Sequence, residues 1–275
     1  TKIALRDISP SAIILLRLIL AVVLLAGIAH FSGRSFRMNL KFYKNIALLA
    51  AIAVFHLWVQ VTGLKFTSAA NTGWIIGFTP VFMSLIGVIF FKESLNLIKV
   101  SGIFISFAGL LLLISKADPG NISLISNKGD FMVLASSFTW SIYSAVNKKA
   151  AADFSPLMVT LYQFAIMALL IAPAVLDVPT ITNILHMSLD SVLAVVFLGI
   201  FCSGIAYVFW AQALQEMESI KVGAFLYVEP FVTVLTAWIF LNEDISLLTI
   251  ISGIIITAGV VLVNYRFRRL SFKSN

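Results

Sequence analysis

Charge is scarce in this 275-residue chain: Asp, Glu, Lys and Arg make up 11% of it, against 60% hydrophobic residues. A water-soluble domain draws about a quarter of its residues from the charged types, so a soluble globular fold is excluded. Cysteine is almost absent. The single Cys202 lies in an apolar run, which leaves no disulfide framework and no cysteine-rich metal site. Only three histidines occur, none in an H-E-x-x-H pattern, and no apolar run carries paired carboxylates. Zinc hydrolysis and aspartyl proteolysis within the membrane are thereby excluded, and a serine paired with His56 has no nucleophile-elbow context. Phosphate-binding loops and dinucleotide fingerprints are missing as well, so this chain alone is no ATP-driven pump and calls for no cofactor.

What the sequence has is apolar length. Mean hydropathy is +1.04, and runs of about 20 apolar residues, the length that crosses a ~30 Å hydrocarbon core, recur throughout. The pattern predicts nine spans. They run Ser11 to Ile28, Ile46 to Leu64, Ala69 to Phe91, Leu95 to Ile114, Phe131 to Val146, Pro156 to Leu176, Val192 to Leu214, Val222 to Leu241 and Leu247 to Tyr265. Short connections with turn residues, such as Asp118-Pro119-Gly120-Asn121, make neighbours antiparallel hairpins. The fold class is therefore all-α, a polytopic membrane helix bundle.

The net charge of +7 has a topological explanation. With the C-terminus cytoplasmic, thirteen Lys and Arg fall inside and five outside, and Arg17 lies within a span, which accounts for all 19. Such a bias is the positive-inside signal. It makes the basic excess a matter of orientation, and nucleic acid is not an expected partner.

The sequence also repeats. At a shift of 150, Gly73, Pro80, Phe90, Glu93 and Ala108-Gly109 match Gly223, Pro230, Phe240, Glu243 and Ala258-Gly259. At a shift of 146, Lys2, Asp7, Ser9 and Pro10 match Lys148, Asp153, Ser155 and Pro156. The repeats are assigned to residues 1–115 and 129–269. The second holds five spans and the first four plus a stub, so about 15 residues of a first helix are expected before Thr1. Ten spans would then form two halves of five, the second entering from the opposite face as an inverted repeat, with both native termini cytoplasmic.

Ile8-Ser9-Pro10 leading to Arg17 and Ala21, the run Leu64-Lys65-Phe66-Thr67-Ser68-Ala69, and Pro80 followed by Lys92-Glu93 form an ordered set. Ala213-Leu214, Glu229-Pro230, Leu241-Asn242-Glu243 and Ala258-Gly259 continue it. Together they resemble the drug/metabolite transporter superfamily, EamA-type, over nearly the entire chain. The sequence departs in lacking most of the first helix and in carrying Asn242 where glycine usually precedes the glutamate. The resemblance implies an inner-membrane exporter of amino acids or related small metabolites. Two four-helix bundles would rock around a central cavity, with the fifth and tenth helices outside them. The expected partners are a small-molecule substrate and membrane lipid, in a monomer or weak homodimer.

Polar and aromatic groups at bilayer depth face the protein interior or a water-filled path, which nominates a set of cavity residues. His56, Gln60 and Gly63 form one stripe, and Ser203, Tyr207 and Trp210 another. Ser137, Trp140, Ser141 and Ser144 share a face with Tyr143 and Asn147 beside it, and Asn71, Trp74 and Phe78 occupy the span that contains Pro80. Converging aromatics suit an amphipathic solute such as an amino acid; the alternative for the tryptophans is an interfacial belt. His56 reads as a substrate ligand or a hydrogen-bonded structural group. Glu229, the sole carboxylate well inside a span, reads as a coupling group or as a protonated or paired group at the Pro230 kink. It also raises the runner-up substrate, an organic cation. Gly73, Pro80, Gly223 and Pro230 read as hinge and close-packing elements. Arg17 sits about 10 Å from the outer end of its helix, within reach to snorkel or to cap a neighbouring carbonyl; substrate contact is its lesser alternative, and Gln163 is a comparable weak candidate. A channel lacks its repeated charged ring or filter here, and sugar phosphates would call for more than one cavity cation.

Overall fold

A computed structural model describes residues 1–36, 40–67, 69–115, 127–150, 154–229 and 247–264, and these are helical with short connections. After a short 3₁₀ turn come α1 (Pro10–Phe31), α2 (Leu40–Phe66), α3 (Ala69–Ile76), α4 (Thr79–Phe91), α5 (Leu97–Ser115) and α6 (Lys128–Ala150). Then follow α7 (Pro156–Ile171), α8 (Val178–Leu185), α9 (Leu189–Phe197), α10 (Ala206–Glu216), α11 (Ser219–Ala224) and α12 (Leu247–Asn264). Among the described residues, four continuous stretches are long and apolar enough to cross a membrane: Pro10–Phe31, Phe42–Phe66, Pro156–Val175 and Leu189–Glu216. The other apolar helices are shorter. Starts follow local chemistry. Ser9 accepts the Ala12 amide at 3.3 Å with Pro10 in the first turn, and Ser155-Pro156 opens α7 with the same residue pair.

Two features depart from the span pattern. The run Ala69 to Phe91 is one span in the sequence reading but two helices in the structure, broken at Gly77-Phe78 where Pro80 cannot donate to the preceding turn. Its counterpart tightens at the same point: α11 passes into a 3₁₀ turn, Phe225–Val228, just before Glu229. The expected short connection after the sixth predicted span instead contains α8. Asp177 caps it through the Thr180 amide at 2.9 Å, and Val178, Ile181 and Leu185 form an exposed apolar face. That spacing is the form of a helix lying in the membrane interface.

The burial pattern is that of a chain solvated by lipid. Phe31, Phe90, Phe104, Leu169 and Phe209 are exposed, while Ser136, Ser137, Ser141, Ser144, Asn147 and Gln163 are buried. The α6 serines return their hydroxyls to their own helix: Ser136 to Val133 at 2.7 Å, Ser141 to Ser137 and Ser144 to Trp140 at 2.9 Å each. Without water, internal satisfaction is the available solution.

Small residues set the crossings. Helices α2 and α6 run antiparallel with Gly63 against Gly129, where a Cβ on Gly129 would lie 2.7 Å from the Gly63 carbonyl oxygen. Helices α5 and α12 also run antiparallel: Gly102 faces Gly259 and Val263, and Gly109 faces Ile255 and Ile256. Between them Ser106 donates to the Ile256 carbonyl at 3.2 Å, two residues 150 positions apart. The same equivalence appears at the helix ends. Lys2 donates to the Thr67 carbonyl at 2.6 Å and Lys148 to the Met217 carbonyl at 2.9 Å, again 150 apart on the acceptor side.

Candidate functional site

A cavity of about 180 Å³ lies where α1, α2, α3, α4, α6, α10 and the turn before Glu229 meet. Its wall includes Arg17, His56, Gln60, Thr79, Ser137, Trp140, Tyr207 and Glu229. The volume equals the room of roughly six waters at about 30 Å³ each, the scale of a small solute.

Trp140 is the hub of the wall. His56 and Tyr143 lie 5.0 Å from its ring centre, Tyr207 5.3 Å and Trp210 5.4 Å. Three elements, α2, α6 and α10, supply these rings, and the tilted and edge-on geometries are those aromatic pairs prefer. Trp210 is fixed by its indole N–H, which donates to Ser144 at 3.1 Å. Tyr143 stands behind Trp140 and does not line the cavity. Asn147 and Gln163 donate to its hydroxyl at 3.1 and 3.2 Å. It supports the wall.

His56 is 2% exposed, and its Nδ1 lies 2.9 Å from the Ser136 carbonyl. A carbonyl only accepts, so Nδ1 carries the proton, and in the neutral ring Nε2 keeps a lone pair. The hydrogen-bonded structural reading of His56 is seen in this bond, which braces α2 against α6, and the ring also lines the cavity.

Arg17 differs from its sequence reading. It is 6% exposed and does not snorkel; its Nε donates to Ser203 at 2.7 Å, and the rest of the side chain lines the cavity. Ser203 sits in a π-helical segment, Leu198–Ile205, between α9 and α10. Gly199 brings this segment against α1, where an added Cβ would meet Leu20 at 2.7 Å. The wider π turn and the missing side chain together bring Ser203 within reach of the guanidinium.

The remaining nominated residues divide. Gln60 and Glu229 line the cavity. Phe78, in the break between α3 and α4, is not part of the lining, and its ring lies 5.2 Å from that of Phe107 of α5. A Cβ added at Gly223 would lie 3.1 Å from Met83, whereas one at Gly73 would meet no described atom within 4 Å. Pro80 opens α4 at the break. The Trp74 side chain and Pro230 lie outside the described residues.

Near one end of the bundle a second polar cluster closes around Glu93. It accepts Lys148 at 2.8 Å and the amides of Ser219 and Ile220 at 2.7 and 3.0 Å, so it caps α11. Burial works against the charged carboxyl, but these donors outweigh it and hold it below its ordinary value of 4.5. Lys99 pairs with Glu218 alongside. Among the described residues no group of three or more His, Cys, Asp or Glu could hold a metal ion.

Comparison with known proteins gives the chain its context. An uncharacterized transporter of Archaeoglobus fulgidus is 31% identical over 95% of this chain and 90% of its own length. A chloroplastic WAT1-related protein of Arabidopsis thaliana is 25% identical over 90% of this chain and 61% of its own. A solved crystal structure shares the fold, with a TM-score of 0.74 at 20% identity, covering 93% of this chain and 87% of the other. The profile of the EamA-like transporter family matches residues 1–115 and 127–265. The polytopic helix bundle built around an interior cavity is thus a membrane transporter, and the chain belongs to the EamA-like transporter family.

Proposed function

We propose that the chain is a secondary-active exporter of small amphipathic metabolites, amino acids foremost, working by alternating access in the inner (plasma) membrane. One observation carries this reading: the same interior cavity is lined by a guanidinium, a carboxylate and an aromatic wall. A solute bearing both charges and an apolar side chain matches all three surfaces. The repeat supports alternating access, since halves of opposite orientation can exchange shapes. The positive-inside bias supports a cytoplasmic C-terminus.

The organic-cation reading draws on Glu229 beside Trp140 in the same cavity. Arg17 weighs against it, because a buried cation repels a cationic solute. Counterflow in proteoliposomes with labelled amino acids, organic cations and sugar phosphates decides between them. Saturable exchange of amino acids is the expected result; exchange of cations alone would replace this reading with the second.

A further inference from the structure

We propose that Arg17 is the receptor for the substrate's carboxylate, an inference that rests on the amino-acid reading above. The geometry comes from how its donors are spent. A guanidinium has five N–H donors in a planar fork. Here Nε takes Ser203 at 2.7 Å, and no other Arg17 hydrogen bond occurs among the described residues. The two terminal nitrogens therefore keep four donors, on a side chain that is 6% exposed and lines the cavity. A buried cation with unspent donors is costly in a membrane protein, and a carboxylate satisfies both nitrogens at once in the bidentate geometry that arginine matches best.

Other groups could have met this need and do not. Glu229 lines the same cavity, yet no ion pair joins it to Arg17 among the described residues. The polar neighbours His56, Gln60 and Tyr207 carry no negative charge to compensate it. Ser203 holds the fork from the side, and its hydroxyl faces Nε rather than the cavity. Arg17 thus reads the anionic end of the solute, and Ser203 is a positioning residue that aims it.

The test uses matched solutes in proteoliposome counterflow: L-phenylalanine, its decarboxylated analogue phenethylamine, and 3-phenylpropionate, which keeps only the carboxylate. Arg17→Gln should cut phenylalanine exchange at least tenfold while phenethylamine exchange holds or rises. Arg17→Lys keeps the buried charge, so it guards against misfolding; it should raise KM for phenylalanine severalfold with little loss of maximal rate. Ser203→Ala should show a smaller rise in KM alone. Wild-type exchange of phenylalanine with the same KM in Arg17→Lys and Arg17→Gln would overturn the role of Arg17 and leave the amino-acid reading standing. Wild-type exchange of phenylpropionate without phenylalanine, lost in Arg17→Gln, would support the Arg17 role while the amino-acid reading fails. Wild-type exchange of phenethylamine alone would overturn both.

Discussion

Because the Ser136 carbonyl fixes the proton of His56 on Nδ1, the two functions of this ring can be separated by substitution. An asparagine amide can give the same hydrogen bond but offers no Nε2. His56→Asn should therefore keep the thermal midpoint within a few degrees while lowering transport, whereas His56→Leu should lower both; melting in detergent and counterflow measure the two effects. Tyr143 makes the opposite case. Tyr143→Phe leaves Asn147 and Gln163 short of a partner, at a cost of about 1 kcal/mol in a membrane interior, and should leave KM for substrate unchanged because Tyr143 stands outside the cavity. Helical periodicity made most of this wall legible in the sequence, since His56, Gln60, Trp140 and Tyr207 fall on stripes that face one another. Phe78 and Arg17 were not legible. The first lies in a helix break, and the second depends on a π segment whose extra width per turn leaves no trace in a 3.6-residue pattern.

Among the helices, contacts between backbones decide how close elements can come. A Cβ on Gly259 would lie 2.6 Å from the Gly102 carbonyl oxygen, and backbone cannot yield as a side chain can. Gly259→Val should separate α5 from α12 and cost on the order of 1–3 kcal/mol, the usual range for overpacking, read as a lower melting midpoint. Glu93 links α4, α6 and α11, and its protonation behaviour gives this joint a pH dependence. Its carboxyl is held below the ordinary 4.5 in the folded chain, so the stabilisation is present above that value and is lost as pH falls through the folded one. Melting curves of the wild type and Glu93→Gln should draw together as the pH falls below 4.5; a constant gap at all pH values would contradict the assignment. The ends of these elements were partly legible, as Pro80 and Glu93 marked the repeat, but the partner of Glu93 was not. Lys148 and the start of α11 are brought to it by tertiary packing alone.

At the scale of the molecule, positions 150 residues apart in the sequence meet in space. Ser106 and Ile256, matched by the repeat shift, touch each other, while Lys2 and Lys148 make matching contacts within their own halves, to Thr67 and Met217. If the halves exchange shapes during transport, a contact between equivalent residues maps onto itself. A short thiol cross-linker between Ser106→Cys and Ile256→Cys should then leave counterflow intact, while one between Glu93→Cys and Ser219→Cys should arrest it. Loss of transport in the first pair would show that α5 and α12 move apart. The repeat was legible because glycine, proline and glutamate are hard to align by accident; that its midpoint is a contact could not be read, since a sequence shift carries no distance. A patch that binds its own copy is the interface of an isologous dimer. The seam between α5 and α12 therefore has the form of an antiparallel homodimer contact held within one chain.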